Sequence, residues 1–320
     1  MAGREDRYAA LDLGTNNCRL LIAVPAADGY RVVRSFARIV RLGAGLDRTG
    51  RLSEAAMDRA VAALAVCAER IAQSGAGRVR CVATEACRRA ENGAAFLDRV
   101  RAEIGLELEV ISPAEEARLA CLGCHPLLEA GIADALIFDI GGGSTEIMRL
   151  RLDGGDEARL VDCQSLRHGV VTVAERCGPG ADLDAYRAVA AEIRDLLAPF
   201  EARNGLADRV AAGAVQMLGT SGTVTTLSAL HQGLSRYDRA RVDASWLSRD
   251  DIYAASRRLA EMGLDGRAAH PCIGRQRADM VLAGCAILAG ILRAWPVGRL
   301  RVADRGVRDG ILRSLMAEAQ

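Results

Sequence analysis

"FDIGGGSTEI", residues Phe138 to Ile147, is the stretch whose reading decides the fold. An apolar strand ends in a carboxylate, three glycines follow, then two hydroxyls and a second carboxylate. "ALDLGTNNCRLLIA", Ala10 to Ala23, makes the same move near the N-terminus. Glycines at a strand end let the backbone approach an anion closely, and successive N–H groups form a concave anion-binding nest. One loop supplies Gly141, Gly142 and Gly143, with Ser144 and Thr145 as further donors; the other supplies Gly14, Thr15, Asn16 and Asn17. A third loop, "GTSGT" (Gly219–Thr223), offers Thr220, Ser221, Gly222 and Thr223 between a strand and a helix, where the helix N-terminus adds positive dipole.

Working outward, the first half reads as strands over 8–13, 18–24 and 30–42. A helix follows from Ser53, its N-cap, to about Ser74, with Met57, Val61, Leu64, Cys67 and Ile71 at helical spacing. Next come a strand over 78–86, a helix over 92–104 and a strand over 106–112. The second half repeats the order: strands "ALIFDI", "TEIMRLRL" and "ARLVDCQSL", a helix over 184–203, then "AVQMLGTSGT" entering another helix. Two copies of β-β-β-α-β-α, each opening on Asp-x-Gly at Asp12 and Asp139, indicate a domain-scale duplication, far longer than solenoid periods of roughly 20–50 residues. The expectation is an α/β protein of two similar domains facing each other across a cleft: 1–114 with 306–320, and 115–305. The C-terminal part is helical, with a capping box at Ser248 and Asp251 and a long apolar helix, "RADMVLAGCAILAGILRAW".

The 320 residues are 50% hydrophobic and carry a formal net charge of +1, ample for two cores and without the basic excess of a nucleic-acid or membrane-surface binder. Every long cation is Arg; abundant Ala and Arg together point to a GC-rich coding bias rather than to function. The N-terminus lacks the roughly 7–15-residue apolar core of a signal peptide, and no apolar run approaches the ~20 residues of a membrane span, so the expected location is the cytoplasm. The ten cysteines then read as small buried hydrophobes. "CLGCH" (Cys121–His125) matches the pattern of covalent haem attachment, but that chemistry belongs outside the cytoplasm, and the motif falls in a helical stretch where packing explains it.

Three donor-rich loops with two strand-end carboxylates, Asp12 and Asp139, suit a phosphate-and-metal site. Mg²⁺ is the natural ion, since it takes a few carboxylates, waters and substrate phosphates. The competing reading is that either Asp caps neighbouring backbone.

The arrangement resembles the actin-like (ribonuclease H-like) ATPase superfamily. More specifically, the chain resembles the exopolyphosphatase/guanosine pentaphosphate phosphatase (Ppx/GppA) family in a short two-domain form. The resemblance rests on "ALDLGTNNCRLLI", "VATEACRRAEN", "ISPAEEARLACLG", "FDIGGGSTEI", "LGTSGTVTTLSAL", "RADMVLAGCAIL" and "VADRGVRDGIL", in the family's order over nearly the full length.

The resemblance implies that Glu116, the second acid of "AEEAR", is the general base for water attacking a terminal phosphate. Asp139 and Glu146 match metal- and water-positioning residues. Glu146 faces the cleft in one hairpin register and away from it in the other, and the sequence leaves the register open. Arg19 and Arg277 match arginines used against substrate phosphates, and Arg88, Arg89 and Asn92 are further groove-lining candidates.

Thr15 and Asn17 stand where many relatives have serines, and His168 stands where an apolar or small residue is commoner; a structural histidine is the simpler reading of it. Many relatives also continue into helical domains that grip long chains, which puts processive action in doubt here. The expected activity is Mg²⁺-dependent release of terminal phosphate from inorganic polyphosphate. Guanosine pentaphosphate is the close rival substrate; an actin-like phosphotransferase and a non-catalytic polyphosphate or nucleotide sensor are rivals of another class. A homodimer is the base-rate expectation.

Overall fold

The computed structural model describes residues 6–27, 29–152, 158–178 and 181–319. They fall into two compact units, 1–123 with 306–320, and 124–305. The sequence reading drew the boundary at 114/115, which lies inside the helix Pro113–Cys124. That helix stays with the first unit because it packs on the C-terminal helix Val307–Ala317 almost backbone to backbone. A Cβ at Gly123 would collide with the Gly306 carbonyl, and one at Gly310 with the Leu119 carbonyl.

The first unit holds β1 (Tyr8–Leu13), β2 (Asn17–Ala26), β3 (Gly29–Ile39), β4 (Arg78–Ala83) and β5 (Glu109–Val110), in sheet order β3-β2-β1-β4-β5. The second holds β6 (Asp134–Ile140), β7 (Thr145–Leu152), β8 (Ala158–Leu166), β9 (Val215–Thr220), β10 (Trp246–Ser248) and β11 (Arg299–Ala303), in order β10-β11-β9-β6-β7-β8. Read from β8, the second sheet repeats the first, with β11 in the place of β5 and β10 added at the edge. In both copies an antiparallel hairpin leads and the fourth strand pairs parallel to the first. This is the duplicated α/β fold expected from the repeated Asp-x-Gly motif.

Each sheet is covered by helices whose apolar residues recur at helical spacing. In the first unit the helix Glu54–Ser74 begins where Ser53 accepts from the Ala56 N–H at 3.3 Å, and it buries Met57, Ala60, Leu64 and Cys67 against Leu11, Leu20 and Ile22. Each fully buried Leu or Ile contributes about 1.5–3 kcal/mol relative to exposure. In the second unit the helices Leu183–Asn204 and Val281–Ala294 meet at Gly290, where a Cβ would press on Ile193. Trp295 closes this core, edge-to-face on Phe200 at 5.8 Å, its indole N–H donating to Glu201 at 2.6 Å.

Several elements differ from the sequence reading. The strand expected over 78–86 stops at Ala83, and a short helix, Glu85–Arg89, follows. The strand expected over 106–112 shrinks to two residues, because β5 pairs only with the end of β4. The helix expected from Arg277 begins at Val281, preceded by a turn in which the Arg277 carbonyl accepts from Met280 and Val281. The helix Val170–Cys177 was not anticipated. Seven of the ten cysteines are buried, and Cys121 and Cys124 lie in the helix Pro113–Cys124 as read. Among the described residues no helix is long and apolar enough to cross a membrane.

Candidate active-site residues and family membership

In the first unit β1 and β2 form a hairpin whose tip is Thr15–Asn16. The Gly14 N–H donates to the Asn17 carbonyl at 2.9 Å, closing the turn. The chain after β3 then folds under it: Val40 and Arg41 donate to the Asn16 carbonyl at 2.8 and 3.0 Å, and Gly43 donates to the Thr15 carbonyl at 2.9 Å. Gly43 has no room for a Cβ beside the Thr15 methyl. The side chains of Thr15 and Asn16 are buried, and among the described residues the Asn16 Oδ1 has no hydrogen-bond partner. Two residues inside the tip, Asp12 pairs with Arg19 across the hairpin. Burial pushes the Asp12 carboxyl above its ordinary range, with Arg19 and Arg308 pulling the other way.

Glu116 lies in the first turn of the helix Pro113–Cys124, where a carboxylate is favoured by the helix dipole. Arg88 reaches its Oε2 with both terminal nitrogens, at 3.3 and 3.4 Å. The same guanidinium donates to Glu85 Oε2 at 2.7 Å and to the Ile111 carbonyl at 2.6 Å, so Arg88 is held on three sides. Arg89 is drawn outward to Asp47 at 2.6 Å. Asn92 clamps the Leu52 backbone with both ends of its amide, at 2.8 and 2.9 Å, which is a structural role.

In the second unit the hairpin β6–β7 repeats this geometry. The Gly141 N–H donates to the Ser144 carbonyl at 2.9 Å, and Gly142–Gly143 form the tip. Gly141, Gly142 and Gly143 are not in a left-handed conformation. What limits side chains here is space: Gly169 touches the Gly142–Gly143 backbone so closely that a Cβ would collide with it. The helix Val170–Cys177 starts against this tip, with Val170 and Val171 donating to the Gly141 and Gly142 carbonyls at 2.9 Å each.

Asp139 pairs with Glu146 across the hairpin, which settles the register left open by the sequence: both carboxylates stand on one face. Glu146 is 3% exposed, and Ser165 on β8, its partner on the other side, donates to it at 2.9 Å. On β9, Asp139 is flanked by Thr220.

Not every hydroxyl expected as a ligand donor is available. Thr145 donates to the His168 carbonyl at 2.6 Å, Thr220 to the Arg305 carbonyl, and Thr223 is packed against Gly284. Ser221, with φ 155°, caps the helix Gly222–His231 by accepting from Thr223 and Val224 at 3.1 and 3.4 Å, and Ser144 is buried at its tip. A non-glycine residue in that region stores strain of a kind found at ligand-binding turns. Arg277 is exposed in the turn before the apolar helix. His168 bonds Glu192 at 2.9 Å beside Arg176, a structural pairing.

A divalent ion would fit the Asp139–Glu146 pair as two neighbouring carboxylates completed by water and substrate oxygens. Among the described residues no set of three His, Cys, Asp or Glu side chains is gathered to hold an ion alone. Sequence reasoning missed Glu85, Ser165 and Gly169. Only Glu85 carried a signal, as an acid three residues before Arg88 in a segment already singled out.

Two acid-bearing hairpins with tight tips, on sheets of matching order, define a duplicated α/β fold. The chain belongs to the Ppx/GppA phosphatase family, whose model matches residues 21–319. Exopolyphosphatase 2 of Mycobacterium tuberculosis is 34% identical over 97% of this chain and 98% of its own length. The crystal structure of an exopolyphosphatase-like protein superposes with a TM-score of 0.88 at 29% identity, covering 99% of this chain and 100% of that one. The Ppx/GppA family member of Aquifex aeolicus does so with a TM-score of 0.79 at 28% identity, over 98% and 99%.

Proposed function

We propose that this chain is an exopolyphosphatase that hydrolyses the terminal phosphoanhydride of inorganic polyphosphate with Mg²⁺ and water. The observation that carries this reading is the Asp139–Glu146 carboxylate pair, on one sheet face directly beside the Gly142–Gly143 tip. The named relative in Mycobacterium tuberculosis supports the choice of substrate. The two chains match over nearly their whole extents.

In this reading Glu116 takes a proton from water as its oxygen bonds to the terminal phosphorus, and the bridging P–O bond breaks toward the shortened chain. Arg88 fixes the Glu116 carboxylate on one side. In the first unit the amides of the Thr15–Asn16 tip and Arg19, and in the second the amides of the Gly142–Gly143 tip and Arg277, would bind phosphate oxygens, whose charge grows in the transition state. Asp139 and Glu146 would hold Mg²⁺, which supplies charge neutralisation to the phosphates, and Asp12 would serve the same end in the first unit. Ser165 keeps Glu146 oriented.

The deciding experiment measures phosphate release from polyphosphate and from guanosine pentaphosphate in parallel, with and without Mg²⁺, for the wild-type chain and Glu116→Gln. Release from polyphosphate that needs Mg²⁺ and collapses in the variant is the expected result. Faster turnover of guanosine pentaphosphate would rename the substrate, and inactivity on both would overturn the reading.

A further inference from the structure

The edge strand β3 and the helix Glu54–Ser74 enclose a row of arginines that catalysis does not use. Arg34, Phe36 and Arg38 alternate onto one face of β3. Arg59, Arg70 and Gln73 line one side of the helix, since 11 residues are close to three whole turns. The guanidiniums of Arg38 and Arg70 lie 5.3 and 5.0 Å from the centre of the Phe36 ring. Arg70 donates to the Ser35 carbonyl at 2.8 Å, Arg34 to Gln73 at 3.3 Å, and Arg59 to the Val40 and Arg41 carbonyls at 2.9 and 3.5 Å.

Among the described residues, none of these four arginines has a carboxylate within ion-pair distance. Glu69 reaches the group only through Gln73, which donates to it at 2.8 Å. Other arginines of the unit are neutralised by acids: Arg51 pairs with Glu91 at 3.2 Å, Arg99 with Asp58 at 2.7 Å and Arg118 with Glu115 at 2.7 Å. In a chain of net charge +1, four neighbouring cations without a direct ion pair concentrate positive potential in one strip.

The strip also has a direction. From Arg34 it passes Arg38 to Arg59, whose guanidinium holds the backbone of Val40 and Arg41. Those two residues donate in turn to the carbonyl of Asn16, at the tip of the first hairpin. A polyanion lying along the strip is therefore led to a loop already assigned to phosphate.

We propose that Arg34, Arg38, Arg59 and Arg70 form an accessory track for the polyphosphate chain beyond its reacting end. This rests on the exopolyphosphatase reading and extends it to substrate length. A chain of phosphates suits the strip better than single-stranded RNA does. The one aromatic ring in it is flanked by two guanidiniums instead of being open for base stacking.

The test uses the full chain and the Arg34→Glu/Arg38→Glu double variant, both positions being exposed. Binding of end-labelled long-chain polyphosphate is followed by fluorescence anisotropy across a salt series, and kcat/KM is compared for long-chain polyphosphate and tripolyphosphate. The expected result is long-chain affinity weakened by on the order of tenfold, with a flatter salt dependence, and a fall in the long-to-short ratio of kcat/KM. Arg34→Lys/Arg38→Lys, which keeps the charge, should retain most of the affinity. Matching thermal melts guard against misfolding. An unchanged long-chain affinity and an unchanged ratio would overturn the track while leaving the hydrolase intact. Long-chain binding lost in the double variant of a chain without hydrolase activity would uphold the track and sink the catalytic reading instead.

Discussion

Asp139 and Glu146 are direct cross-strand partners at the neck of the β6–β7 hairpin, the same register that places Asp12 opposite Arg19 in β1–β2. The duplication has thus kept the geometry and changed one charge: an acid–base pair in the first unit, an acid–acid pair in the second. Two carboxylates on one face repel unless a cation or a proton lies near them. Glu146→Gln keeps the shape and the Ser165 contact while removing one charge. The expected outcome is phosphate release reduced on the order of 10²-fold, with the requirement for Mg²⁺ shifted to higher concentration and the melting temperature little changed. A variant with wild-type rates at all Mg²⁺ concentrations would remove Glu146 from the site.

Glu116 and Arg88 make a second prediction. Glu116→Gln should lower kcat by roughly 10²–10⁴-fold, the range of a lost general base. Arg88→Lys should lower it by about tenfold, because an ammonium cannot reproduce the fork that spans Glu85, Glu116 and the Ile111 carbonyl. Rates measured at saturating substrate distinguish this positioning role from simple phosphate binding. A change confined to KM would assign Arg88 to the substrate instead.

Asp12 links stability to activity. Its carboxyl is raised by burial, so the folded protein holds that proton longer than the unfolded chain does. The associated stability is fully present below the unfolded range, near 3.9, and is lost as pH rises through the folded value. Asp12→Asn removes this loss. The variant should melt higher than wild type at neutral pH, equal it in acid, and release phosphate poorly. Melting curves from acid to neutral pH check the sign; a lower melting temperature at neutral pH would mean that attraction to Arg19 and Arg308 outweighs burial.

The strand–loop–strand motif around Asp139 was legible because period-two hydrophobicity ending in Asp-x-Gly has few other readings. Repetition of that motif at Asp12 made the duplication legible as well. What stayed hidden depends on which backbone lies beside which. Thr145 and Thr223 read as ligand donors, yet one hydroxyl serves the His168 carbonyl and the other is packed on Gly284, contacts made across 23 and more residues. The helix Val170–Cys177 is short, and its start is held by the distant Gly141 and Gly142 carbonyls as well as by Thr172, which accepts from the Gly169 N–H at 2.8 Å. The domain boundary moved for a similar reason: the glycines that tie Pro113–Cys124 to the C-terminal helix are ordinary in sequence, and their role is visible only in contact.

Gly169 gives the last prediction, one that separates shape from chemistry. Its φ of −112° suits any residue, so Gly169→Ala meets no conformational penalty. A methyl group there, however, would run into the Gly142 carbonyl and the Gly143 amide. Either the tip shifts or the helix Val170–Cys177 retreats and strains the bonds from Val170 and Val171. The expected cost is about 1–3 kcal/mol of stability. A displaced tip would also raise KM for polyphosphate more than it lowers kcat, since no group that moves a proton is touched. Gly178→Ala is the control: it lies in the same segment with open space around it and a left-handed φ of 77°, so it should lose stability through backbone strain without the change in KM. Equal kinetic effects from both substitutions would show that the tip does not bind phosphate.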